Sequence, residues 1–253
     1  MINIVKPKVL IEEFDAEYII RKIERAARTC YKTEKSKAPV GQLLDKRLLK
    51  TPDRAEFWNT YRDGIIDPKL LKTILANVHS SVLEHCTISI KVITNRACSL
   101  EWVRHRIGVA YSQESSRFCN YSKNKFDNKV TMLKPYFYKN EEQYKIWKEN
   151  VKLSAKGYFD LLKVATTEEA RELLPNSTKT EITITYNMGA WRHFLDLRTS
   201  QKAHPEIRRM AMTLLCEFST RLPVLFDDIM SRYTKDPEFF PGIEDVIVEY
   251  ITI

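Results

Sequence analysis

Thr87-Ile88-Ser89-Ile90-Lys91-Val92 alternates polar and apolar side chains. In an extended chain successive side chains point to opposite faces, so this pattern reads as a half-buried strand with Ile88, Ile90 and Val92 on its inner face. Ile182, Ile184 and Tyr186 repeat the alternation against Thr183 and Thr185, giving a second strand far along the chain. The last third of the sequence is mostly helical and several earlier segments share that periodicity, and a small sheet surrounded by helices follows: an α+β fold.

Working outward, Ile19, Ile20, Ile23, Ala26, Ala27 and Cys30 recur at helical spacing from Asp15 onward, with charges between them. Leu70, Leu71, Ile74, Leu75 and Val78 mark the apolar face of a second helix from about Pro68 to Val78, which delivers His79, Ser80 and Ser81 to a turn. Further helices are expected around 98–106, over 140–165, and in a short stretch ending near Pro175, while 111–128 reads as a polar stretch. Pro205 stands where a helix begins, and Ile207, Met210, Ala211, Leu214, Leu215 and Phe218 form its stripe. Residues 33–53 are rich in Lys, Gly, Pro and Ser and read as a mobile connection. With no repeat or interdomain linker, the expectation is a single domain over 1–253.

The formal net charge of +8 suits an anionic partner: nucleic acid, an acidic membrane surface, or several small phosphorylated ligands. Five cysteines form no C-x-x-C pair, which favours free thiols in a reducing, cytoplasmic setting. No run approaches membrane-spanning length. The six glycines are too dispersed for a G-x-G-x-x-G or Walker loop, so any nucleotide must be held by other means. Planar arginine forks, which pair with phosphate oxygens bidentately, are such a means.

The densest set of chemically useful residues is Glu101-Trp102-Val103-Arg104-His105-Arg106, continuing Ile107-Gly108-Val109-Ala110-Tyr111-Ser112-Gln113-Glu114-Ser115-Ser116-Arg117. An Arg-His-Arg tripeptide alone most often belongs to a solvated helix face. If 98–106 were helical, Glu101 and Arg104 would share one side and Arg106 would point away. His79, His85 and His105 with Cys86 or Cys98 match no standard zinc spacing, and no metal is expected. His85, leading into a strand, reads as a hydrogen-bonded structural histidine, and Trp102 and Trp191 as packing residues.

Taken together, Arg104-His105-Arg106, the spacer, and Ser115-Ser116-Arg117 resemble the pattern of the flavin-dependent thymidylate synthases, with a spacer one residue longer than usual in that family. The similarity extends to His79-Ser80-Ser81-Val82-Leu83-Glu84-His85, to Arg171-Glu172-Leu173-Leu174-Pro175, and to Asn187 through Arg198. Lys202 stands near where several relatives carry a histidine against the flavin, and His204 follows it.

This resemblance implies a small, mainly antiparallel sheet and a homotetramer with active sites between subunits. It implies conversion of dUMP to dTMP with methylenetetrahydrofolate as one-carbon donor and FAD reduced by NADPH. Glu101, Gln113, Ser115, Arg117, Arg171 and Arg198 are then the residues around dUMP, with Arg198 as the catalytic group. His79, Ser81, Arg104, His105, Arg106, Asn187 and His193 are those around FAD. The competing reading is a non-enzymatic nucleic-acid-binding protein, for which no zinc-finger, RNP or KH pattern is present. Thymidylate synthases that use a cysteine nucleophile are expected to carry Pro-Cys-His, and neither Pro-Cys nor Cys-His occurs here.

Overall fold

The computed structural model describes residues 2–31, 68–77, 80–233 and 242–252. The connection at 33–53, Val78 and His79 lie outside these residues. In chain order the main elements are β1 (Ile2–Val5), β2 (Lys8–Glu12), α1 (Ala16–Tyr31), α2 (Pro68–Ala76), β3 (Thr87–Asn95), α3 (Arg96–Trp102), β4 (Val109–Gln113), β5 (Val130–Leu133), α4 (Glu141–Leu161), α5 (Thr167–Ala170), β6 (Lys179–Asn187), α6 (Met188–Arg198), α7 (Pro205–Arg221), α8 (Pro223–Met230) and β7 (Ile247–Ile251). Short 3-10 helices cover Ser80–His85 and Arg171–Leu173.

Five strands form the principal sheet in the order β4-β6-β3-β2-β7, antiparallel except where β7 runs parallel to β2. β3 and β6 pair along their whole length, with Ile88 opposite Tyr186, Ile90 opposite Ile184 and Val92 opposite Ile182. All six are buried, because the period of the strand places them on one face. Ser89 and Thr185 share a 2.8 Å hydrogen bond on the other face. Val9 and Ile11 of β2 extend the buried face.

The helices cover that face. Asp15 starts α1 by accepting from the Tyr18 backbone N–H, and Ile19, Ile20, Ile23 and Ala27 are buried while Cys30 is exposed. In α7 the expected stripe is buried, together with Met212 and Thr213. That helix is nearly surrounded, and His204 and Pro205 open it as N-cap and first helical residue. A second hydrophobic cluster gathers Trp147, Val151, Ala155 and Tyr158 of α4 against Val130 and Met132 of β5. β5 pairs in parallel with β1, and Trp147 Nε1 donates to Ser177 Oγ just before β6.

Two sequence expectations change. The 98–106 helix ends at Trp102, and the 111–128 stretch contains the end of β4. Arg104 and Arg106 therefore sit in a turn, not on opposite sides of one helix.

Candidate active site

α3 is short because its two ends are tied to the sheet. Asn95, the last residue of β3, caps it by accepting from Cys98 N at 2.7 Å. Beyond its C-terminus, the Tyr111 hydroxyl of β4 reaches the carbonyls of Trp102 (2.6 Å) and His105 (2.8 Å), and lies 2.5 Å from the Tyr186 hydroxyl of β6. Each phenol has one proton, so the pair serves these carbonyls jointly; one hydroxyl alone could not donate to both. Burial raises both phenol pKa values and keeps them protonated donors. Two strands thus clamp the Arg104-His105-Arg106 turn from below.

Arg198, in the last turn of α6, meets that turn with all three guanidinium nitrogens. Nε donates to His105 Nε2 at 3.0 Å, Nη1 to Glu101 Oε2 at 2.7 Å, and Nη2 to the Glu101 carbonyl at 3.1 Å. Burial, then the neighbouring Arg198 and His193, lower the His105 pKa to about 4. The ring is therefore neutral in the physiological range, and with Nε2 accepting it carries its proton on Nδ1. The result is a guanidinium fixed in plane, with one carboxylate beside it and N–H groups to spare.

A cavity of about 480 Å³ lies close to this group, walled by Ile74, Leu75, Leu83, Ser80, Asn187 and His193. The His193 ring centre is 5.8 Å from that of His105, which joins the cavity to the arginine site. Asn187 caps α6 by accepting from Ala190 N at 2.8 Å, and its own N–H donates to Gly108 O at 2.9 Å. Gly108 has φ +68°, and a Cβ there would lie 2.1 Å from Asn187 Nδ2. Gly108→Ala is expected to cost about 1–2 kcal/mol in left-handed backbone strain and to displace the Asn187 cap. Lowered thermal stability together with weaker flavin retention is the expected result; retention and stability equal to the parent would refute it.

Among the described residues, the remaining expected flavin residues do not line the cavity. Ser81 is exposed on the Ser80–His85 turn, and Arg104 and Arg106 are exposed, Arg104 Nε lying 3.7 Å from Glu101 Oε1. His79 is outside the described residues.

The expected dUMP residues divide into two sets. Glu101 and Arg198 belong to the arginine site. Gln113 Nε2 donates to Ser99 Oγ (2.9 Å) and Thr180 Oγ1 (3.1 Å), pinning β4 to α3 and β6. The Ser115 carbonyl accepts from Phe118 N and Cys119 N, starting a turn that carries Arg117 outward. Arg117 Nε pairs with Glu168 Oε2 of α5 at 2.9 Å, and Arg171 follows on the next turn, its Nε 3.7 Å from Glu172. Arg117 and Arg171 are thus gathered around one short segment.

Residues that sequence reasoning passed over hold these sets in place. Tyr111 and Tyr186 are the hydroxyl pair. Ser116 is buried and accepts from Arg96 Nη1 at 3.1 Å, which secures the Ser115–Arg117 turn. The alternation of Val109, Tyr111 and Gln113 was the available signal for β4. His85, read as a hydrogen-bonded structural residue, is exposed. His204 Nδ1 accepts from Glu206 N at 3.2 Å and the ring meets Phe137 edge-on, while Lys202 is exposed. Trp102 and Trp191 are fully buried, as packing residues. Among the described residues no group of His, Cys, Asp and Glu is placed to hold a metal, and no helix is long and apolar enough to cross a membrane.

Comparison with known proteins bears on the same elements. The family model described as thymidylate synthase complementing protein matches residues 10–224, which runs from β2 into α8. A flavin-dependent thymidylate synthase of Mycobacteroides abscessus is 32% identical over 175 residues, covering 62% of this chain and 68% of that protein. One from Thermococcus onnurineus is 35% identical over 152 residues, covering 59% and 61%. One from Mycobacterium sp. strain JLS is 29% identical over 237 residues, covering 85% and 82%. The match to the Thermococcus onnurineus relative therefore spans about three fifths of its length. With the family model covering β3 to β6, the clamped turn and the Asn187–Arg198 helix together, the chain belongs to the thymidylate synthase complementing protein family.

Proposed function

We propose that this chain converts dUMP to dTMP, taking the carbon from methylenetetrahydrofolate and using FAD reduced by NADPH. The observation that carries the reading is Arg198: a guanidinium held by Glu101 and a neutral His105, beside a cavity lined by both apolar and polar residues. Family membership disfavours the nucleic-acid-binding alternative.

The cavity fits part of a flavin by its chemistry: Ile74, Leu75 and Leu83 offer apolar surface for a planar ring, and Asn187 and His193 offer polar contacts. In this reading Ser81, Asn187, His193 and His105 face the ring system, and Arg104 and Arg106 meet the diphosphate through charge-assisted bonds. When bound, FAD supplies the reducing equivalents. The protein's own part is binding and electrostatics. Arg117, Arg171, Ser115 and Gln113 take the phosphate and sugar of dUMP, and Glu101 holds Arg198 at the edge of the uracil. As C5 of the pyrimidine becomes nucleophilic, negative charge grows on the carbonyl edge, and a guanidinium that need not reorient stabilises it. Ser115 has a turn-forming role and no base is needed beside it.

A homotetramer with sites between subunits belongs to the same proposal. Ile107 is 86% exposed and Phe118 76% exposed, each next to an arginine of the site, and a second copy would cover them. We also place the protein in the cytoplasm, as a single domain over 1–253, in keeping with its free cysteines.

The test is the visible absorption spectrum of the protein after FAD addition and desalting, followed by dUMP titration and an assay for dTMP. A retained flavin band that shifts on dUMP addition, with dTMP formed when folate and NADPH are supplied, is expected. No retained flavin and no dUMP response would overturn the reading.

A further inference from the structure

We propose that a second cavity, at the seam between the two hydrophobic clusters, is an anion site for a small phosphorylated molecule, separate from the dUMP and flavin residues. It encloses about 450 Å³, within the range of small-molecule sites. Its lining includes none of the residues assigned above to dUMP or FAD.

The floor is Arg209 of α7. This residue is only 1% exposed, yet it lines the cavity. Its guanidinium stacks on the Tyr136 ring, 4.2 Å from the centroid, and Glu206 Oε1 takes Nε at 2.9 Å and also Nη2. One edge and one face of the fork are thereby fixed. A permanently charged, oriented guanidinium at a cavity wall is suited to phosphate oxygens.

Other cations converge on it. Lys6 from the β1–β2 junction pairs with Asp245 at 2.5 Å. Lys6 is the main cause holding the Asp245 carboxyl below its usual range, and Arg209 and Lys134 act in the same direction. Three positive groups from separate parts of the chain, Lys6, Lys134 and Arg209, thus line the cavity together with one partly exposed carboxylate. Lys139 adds a fourth, so four basic residues line the cavity against the two acids Asp245 and Glu141, with Glu206 behind Arg209 as a third. The N-terminus of the 21-residue helix α4 opens into the same space, adding the positive end of its dipole. Tyr136, Tyr138 and Tyr144 supply ring surface for whatever carries the phosphate.

The probe is inorganic pyrophosphate, titrated calorimetrically into the full chain with excess dUMP present. Saturable binding that weakens with added salt is expected. In the doubly substituted Lys134→Ala/Lys139→Ala protein, both changes lying on exposed side chains, binding is expected to weaken at least about tenfold, since each substitution removes a charge-assisted contact. Arg209→Gln is expected to weaken it in the same sense, with circular dichroism checking the fold. Arg117→Ala/Arg171→Ala is expected to leave it unchanged. No saturable binding, equal binding by the Lys134→Ala/Lys139→Ala protein, or binding lost with Arg117 and Arg171 would each overturn the proposal. The last outcome assigns the anion to the dUMP residues and leaves the catalytic reading standing.

Discussion

Arg198→Ala is expected to lower kcat for dTMP formation by about 10²–10³-fold, the effect of removing one preorganised donor to developing negative charge. The fold and the retained flavin are expected to survive. Arg198 makes its three bonds at the C-terminal end of α6, and the carboxylate it leaves behind, Glu101, is partly exposed, so water can take over part of its solvation. Arg198→Lys is expected to recover little, because the three donors of an ammonium radiate from one nitrogen and do not reproduce the planar fork whose three separate nitrogens reach His105 Nε2, the Glu101 carboxylate and the Glu101 carbonyl. The decisive comparison is single-turnover dTMP formation with the flavin band monitored in the same sample. Parent-like turnover in Arg198→Ala would remove the residue from the chemistry, whereas loss of the band would mean that Arg198 builds the flavin site instead.

Trp102→Ala should destabilise the protein by about 3–5 kcal/mol, the usual cost of deleting a large buried aromatic side chain. The Trp102 ring stacks on Phe194 at 4.1 Å and meets Trp191 edge-on, and its carbonyl is one of the two that the Tyr111–Tyr186 hydroxyl pair serves. The same residue therefore joins the main core to the clamped turn. Urea unfolding of Trp102→Ala and Trp102→Phe measures the loss, and the phenylalanine variant is expected to keep much of it. A midpoint shift in Trp102→Ala equivalent to less than about 1 kcal/mol would mean that the surrounding rings close the gap, at odds with the close packing of protein interiors.

How much could be read beforehand depended on how local the determining contacts are. β3 and β6 announce themselves because both are buried along one face, and residue alternation records that directly. β4 pairs with β6 alone and leaves Ala110 and Ser112 exposed, so Val-Ala-Tyr-Ser-Gln resembles a polar loop. β2 buries only Val9 and Ile11, too short a pattern to stand out. The overrun of α3 has the same origin. Charges at 104–106 suit a continuing helix, and what ends it is a phenol from a strand that begins after the turn. At the site, Glu101 and Arg198 are 97 residues apart. Nothing local marks them as partners; the family resemblance supplied both, and the pairing of β3 with β6 is what brings them within reach.

The parallel pairing of β7 with β2 has a consequence for how the molecule is made. Lys8–Glu12 emerges before the other strands of the principal sheet, but its neighbour on one side, Ile247–Ile251, emerges after every other element described here. Until then that side of β2 presents a row of unsatisfied backbone donors and acceptors, a template for pairing with other chains. The closing strand also joins residues from opposite ends of the described sequence, and such long-range closure slows folding. The interval between translating the two strands is therefore when this chain is most exposed to aggregation, and when a chaperone holding the β2 edge would matter most.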